Sequence, residues 1–220
     1  MDFAQALHTL IHNRYTSGYT RSGYAAYDLS LSDAKKLESI ALNYGFPPQW
    51  LAHLINFETA GTFNPAITNS IGATGLIQFL RSTANGLGTS TDELRNMSFS
   101  EQLNWVDKYL RTHMNGIVAN RGLFNKETGK VTNKFTQQDL FMIIFYPSAV
   151  GLPGFIFPSS VTSANAGIST PSDYTNKALA SATAPFKDVA SFIDASFKAT
   201  ASGIKKNILP ITLTLVGLIG

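Results

Sequence analysis

The 220-residue chain is 44% hydrophobic and 14% charged, a balance that buries a core and excludes a disordered protein. It has no cysteine, which removes disulfide frameworks, thiol nucleophiles and thiolate metal sites together. Its net charge of +3 comes from scattered Lys and Arg, adjacent only at Lys35-Lys36 and Lys205-Lys206, and this speaks against nucleic acid as a partner.

Residues 3 to 15 place Phe3, Leu7, Leu10 and Ile11 on one face of a predicted helix. Asp2 and the interspersed His and Asn residues do not fit a secretory signal, so export would depend on something else. His8 and His12 share a helix face, but no third ligand lies nearby, and they read as a packed or solvated pair. Residues 16 to 31 carry SGY twice among turn formers and read as an ordered loop, packed on its own domain or stacked on sugar rings. Ser32 or Asp33 is the expected cap of a helix through Asn43. Gly45, Pro47 and Pro48 stop it and start the next.

That next helix carries Trp50, Leu51, Leu54, Ile55 and Phe57 at helical spacing and delivers Glu58, the one carboxylate between Glu38 and Asp92. An acid among apolar neighbours is partly desolvated, which disfavours its charged form and suits a proton donor near neutral pH. Gly61, Asn64, Pro65, Asn69, Ser70 and Gly72 then force the chain into an open loop. Helical spacing is expected to resume with GATGLIQFLRSTANGLG. Gly75 would let backbone approach a ligand, and Gln78 would offer an amide on the first turn.

The stretch ETAGTFNPAITNSIGATGLIQFLRSTA resembles the signature of the lysozyme-like lytic transglycosylases, through Glu58, Ser70, Gly72, Ala73, Gly75, Leu76, Gln78, Thr83 and Ala84. Thr59 stands where that family has Ser, Ile77 where it has Met, and Arg81 where it has Pro. A later family motif, A-Y-N-A-G, is echoed by Phe145, Tyr146, Pro147, Ser148 and Ala149. The phrases GLIQF, EQL and a late Y-P step resemble the form found in bacteriophage virion and tape-measure-associated proteins. The resemblance covers about residues 33 to 152. It implies Glu58 as the catalytic residue, with Thr59, Ser70, Gly75, Gln78, Phe79 and Tyr146 binding substrate, Tyr146 being the tyrosine that holds the acid.

Further along, Ser90 with Glu93 and Ser98 with Glu101 have capping-box spacing and start two helices, the second with Leu103, Val106, Leu110 and Met114 on its apolar face. Asp92, Glu93, Glu101 and Asp107 read as caps and solvated faces. NKETGKVTNKF does not meet the oxygen-ligand pattern of a calcium loop. Thr136 with Asp139 starts a buried helix that ends at Tyr146. Residues 151 to 185, rich in Gly, Pro, Ser, Thr and Ala, read as loop or linker. An amphipathic helix follows from Phe186. The uncharged run from Ile208 would span about 20 Å as a helix, short of the roughly 30 Å of a bilayer core.

These readings give a mainly α fold: a lysozyme-like helical domain over 32–158, an N-terminal helical extension over 1–31, a linker over 159–185, and an amphipathic helix plus apolar tail over 186–220. The tail suits either contact with a membrane or virion protein or folding back on the core. No cofactor or metal is called for. Glycosidic cleavage by two protein carboxylates needs a pair flanking the sugar, and the motif offers one. The resemblance implies that the 2-acetamido oxygen of N-acetylmuramic acid supplies the second group. Glu58 then protonates the leaving oxygen and afterwards takes the C6 hydroxyl proton. Water in that place would make a muramidase. A peptidoglycan endopeptidase and a non-catalytic virion structural protein on the same scaffold are the other readings, although no H-E-x-x-H or G-x-S-x-G motif supports peptide cleavage. The expected setting is a virion component acting on the host cell wall.

Overall fold

The computed structural model describes residues 2–181 and is mainly helical, with two short hairpins. The expected amphipathic helix and apolar tail of 186–220 lie outside the described residues, among which no helix is long and apolar enough to cross a membrane.

Helix α1 (Phe3–Thr16) starts where the Asp2 side chain accepts from the Gln5 N–H at 2.8 Å, and it buries Phe3, Leu7, Leu10 and Ile11 as its periodicity requires. A hairpin of β1 (Thr20–Arg21) and β2 (Tyr24–Ala25) follows, turning at Ser22 and Gly23 with φ of 53° and 80°. Two positive φ values at the centre of a two-residue turn are what right-twisted strands require, which accounts for one of the SGY repeats. Helix α2 (Leu31–Tyr44) is capped by Ser30, not by Ser32 or Asp33. Asp33 instead occupies the third helical position and returns its carboxylate to the Ser30 N–H. The box was therefore legible two residues earlier than Ser32 suggested.

Helix α3 (Pro48–Glu58) packs against α2 and carries Leu51, Ala52, Leu54 and Ile55 fully buried. Helices α4 (Arg81–Leu87), α5 (Thr91–Asn96) and α6 (Phe99–His113) come next, the latter two with the expected Ser-to-Glu capping boxes. α6 runs on into a π turn over Met114–Val118, broken by non-helical torsions at Gly116. β3 (Phe124–Asn125) and β4 (Lys130–Val131) form the second hairpin. α7 (Gln137–Phe145) begins on its Thr136 and Asp139 box and buries Leu140 to Ile143. A 3₁₀ turn over Pro147–Ala149 ends it.

Residues 159–181 correct the linker reading, because they form α8 (Ser159–Ala164) and α9 (Pro171–Ala180). α9 has a full capping box between Thr170 and Asp173 with Pro171 at its first position, and it packs on α3 and α7. Composition pointed to a loop, yet Tyr174 and Ala178, one helical turn apart, are buried in the same apolar cluster as α1, α3 and α6. The N-terminal helix joins that cluster as well and is integral to the core.

Candidate active site

Glu58 is the last residue of α3. The helix stops there because the chain turns through Ala60, Gly61 and Phe63 at φ of 49°, 83° and 54°, a left-handed run that no helix can contain. Several buried contacts hold this turn. Thr59 Oγ1 donates to the Ile55 carbonyl at 2.6 Å and accepts the Phe63 N–H at 3.0 Å. Buried Arg14 of α1 donates to Asn56 Oδ1 at 2.9 Å and to the Gly61 carbonyl at 2.7 Å. Tyr19, from the loop after α1, lies under the Arg14 guanidinium and donates to the Ala60 carbonyl at 3.1 Å. The tyrosine-rich segment is thus packed behind the acid. Tyr27 continues this packing: its N–H donates to the Thr62 carbonyl and its ring stacks on Phe99.

The tyrosine that holds the carboxyl is itself packed among aromatic rings. Phe57 meets Tyr174 edge-on, and Phe145 stacks on Tyr174 with centroids 4.2 Å apart. Burial pushes the Glu58 carboxyl up to about 7, against a smaller opposing effect from the Tyr174 hydroxyl, which donates to Glu58 Oε1. Removing water from around a carboxylate penalises its charge more than one hydroxyl donor restores. The Tyr174 phenol is in turn raised well above its ordinary range by burial and by the neighbouring carboxylate, so it acts as a donor and not as a base.

The acid's tyrosine partner is therefore Tyr174 of α9, where the resemblance had pointed to Tyr146. Tyr146 follows α7 and packs its ring against Phe155 and Phe157, at 5.5 Å and 5.3 Å between centroids. Phe145, Phe157 and Tyr174 connect it to the site through aromatic contacts.

The loop beyond Glu58 is ordered by its own side chains. Asn64 Oδ1 accepts the Ala66 N–H, and Asn69 Oδ1 accepts those of Ile71 and Ala73, each within 3.0 Å. Thr74 bridges to both Thr68 and Phe79, drawing residues 67 to 79 into a closed turn. Helical structure resumes only at Arg81, so Gln78 is not on a first helical turn as expected. It sits at φ 51° within the turn, and its Nε2 donates to the Gly75 and Ile67 carbonyls at 3.0 Å and 3.3 Å. Its donor side thus braces the loop, and its carbonyl oxygen makes no such bond among the described residues. Gln78 lines a small cleft with Thr83, Tyr109 and Ile144.

Other expected substrate contacts sort by burial. Ser70 is exposed beside Ile71 at the loop tip. Thr59 is fully buried and Phe79 nearly so, the latter edge-on to Tyr109. Gly75 is corrected too. The space a Cβ would take there, at φ 89°, is filled by the amide of Gln102, so its close approach is to α6 and not to a ligand. The remaining motif-flanking carboxylates serve helices: Asp92 pairs with Arg95, Glu93 and Glu101 complete capping boxes, and Asp107 pairs with Arg111.

The chain matches no family model, no curated protein and no solved structure.

Three residues that position the site have only weak signals in the sequence. Tyr174 could have been found through the T-P-x-D box before it. Arg14 appears as an ordinary last-turn cation. Gln102 enters the sequence reading only as the middle of the phrase EQL, yet it is fully buried. Its Oε1 accepts the Leu76 N–H at 3.0 Å, and its Nε2 donates to the Pro65 and Leu94 carbonyls at 2.6 Å and 2.5 Å. Gln102→Ala leaves the Leu76 N–H and the Pro65 carbonyl unpaired in the interior, while the Leu94 carbonyl keeps the Met97 N–H, and is expected to cost about 2–3 kcal/mol. Urea unfolding checks this; a loss below about 0.5 kcal/mol would mean that water replaces the amide.

Proposed function

We propose that this chain is a lysozyme-like cell-wall-degrading enzyme that cleaves the bond between N-acetylmuramic acid and N-acetylglucosamine with Glu58 as its single general acid and base. The observation that carries the reading is the Glu58 carboxyl. It sits within the motif, is pushed up to about 7 by burial, and is fixed by one hydroxyl donor. A carboxyl with that pKa is substantially protonated at neutral pH and can regain a proton after donating one, which a two-stage reaction requires.

In the first stage Glu58 protonates the leaving oxygen while the substrate's own 2-acetamido oxygen supports the developing positive charge. In the second, the Glu58 carboxylate takes a proton from the C6 hydroxyl as the anhydro ring closes, or from water in a hydrolase. The use of the neighbouring carboxylates as caps and ion pairs supports a one-acid route over a two-carboxylate one. The resemblance to phage virion-associated forms supports placing the protein in a virion, acting on the host wall.

Mass spectrometry of products from purified peptidoglycan tests the reading. Anhydro-muramyl ends are expected. Reducing muramic ends would make it a muramidase, free stem peptides an endopeptidase, and an intact polymer a structural protein.

A further inference from the structure

We propose that the cavity bounded by α2, α6 with its π turn, and the β3–β4 hairpin is a second binding site, for the carboxylate-bearing peptide stem of the cell-wall polymer. The choice of polymer rests on the proposed function; the cavity and its chemistry do not. The cavity encloses about 450 Å³, within the range of small-ligand sites, and neither Glu58, Tyr174 nor Gln78 lines it.

Its floor is apolar, made by Ile40, Phe124 and the ring of Tyr44. Above the floor stand three cations, Lys36, Arg111 and Lys126, and one carboxylate, Asp107, which leaves two positive charges in excess. Asp107 is already held by the Tyr44 hydroxyl at 2.9 Å and by Arg111 at 2.7 Å, so it does not compete for the remaining donors. Lys36 donates to the Ser100 carbonyl at 2.7 Å and keeps further N–H groups for a ligand. An anionic ligand is what such a charge balance favours.

The neutral lining narrows the class. Asn43, Asn104 and Asn115 line the cavity with Ser39, and none of these four side chains bonds to another group among the described residues. A bare phosphate needs donors only, whereas amides and a hydroxyl also accept. They therefore suit a ligand that carries N–H groups beside its carboxylates, as a short peptide does. The backbone is shaped to the same end. Ahead of the break at Gly116, the π turn carries Asn115 into the cavity wall, and such turns recur at functional sites.

The test is an NMR titration of the full-length protein with N-acetylmuramyl dipeptide, N-acetylglucosamine and inorganic phosphate. The dipeptide is expected to shift the side-chain amide signals of Asn43, Asn104 and Asn115, and N-acetylglucosamine to leave them unmoved. Lys126→Glu and Asn115→Ala, both changes at exposed positions, should each weaken dipeptide binding by at least about tenfold. Still amides at saturating dipeptide, or equal shifts with phosphate, would overturn the proposal. If the dipeptide binds here while the protein releases no product from peptidoglycan, the site stands and the catalytic reading falls. Product release without these shifts sinks the site alone.

Discussion

Glu58→Gln is expected to lower cell-wall degradation by at least about a hundredfold, the typical worth of a general acid, while making the folded protein more stable at alkaline pH. Both effects come from the same burial. The carboxyl titrates at about 7 in the folded chain and near its ordinary 4.5 when unfolded. Below 4.5 both states hold the proton and the group is neutral in its effect. Between 4.5 and 7 the folded state keeps a proton that the unfolded state has released, so stability falls as pH rises through that window. Above 7 the folded protein carries a desolvated carboxylate, at a cost on the order of 2–3 kcal/mol once the partial exposure of Glu58 is allowed for.

Glutamine fills nearly the same space, still accepts from Tyr174, and has no proton to lose. The variant should melt close to the native protein at pH 4.5 and on the order of 5 °C above it at pH 8. Native activity should decline as pH rises past 7, where the donor form disappears. Retained cleavage in the variant would end the one-acid reading, and equal melting temperatures at pH 8 would end the buried-acid account of the site.

The acid and its helix were legible because the signal is local. A lone carboxylate closes an apolar stripe, and a run of turn formers follows it. The boxes at Ser90, Ser98 and Thr136 were legible for the same reason, since each is a four-residue pattern whose physics is complete within itself. What the sequence did not disclose depends on contacts between distant residues. Tyr174 reaches Glu58 across 116 positions, Arg14 reaches Gly61 across 47, and Gln102 reaches Pro65 across 37. Gly75 shows how such contacts mislead: a glycine beside a polar motif suggests a ligand's approach, but here a buried glutamine from another helix requires it. The linker reading failed over 159–181 because Ser, Thr and Ala carry little helical periodicity, and α9 is held largely by one large ring docking on α3 and α7.

That docking is what Tyr174→Phe probes. The phenylalanine ring keeps the stack on Phe145 and the edge contacts with Phe57 and Phe141, so α9 should stay in place. The lost hydroxyl supports the charged form of Glu58, and without it the carboxyl is harder to ionise. The alkaline limb of the activity profile should therefore move upward, by about one pH unit for a hydrogen bond to a charged group. Turnover near pH 6 should fall by about tenfold, because the acid is no longer held in one orientation. A tyrosine that served only to pack α9 would lower stability and leave the pH profile where it was. Tyr146→Phe supplies the contrast: the Tyr146 ring packs among Phe155 and Phe157, and it is the Tyr174 hydroxyl that donates to Glu58, so this change should leave the limb in place. If Tyr146→Phe shifts the profile and Tyr174→Phe does not, the tyrosine implied by the motif resemblance holds the acid during turnover, and α9 is only its cover.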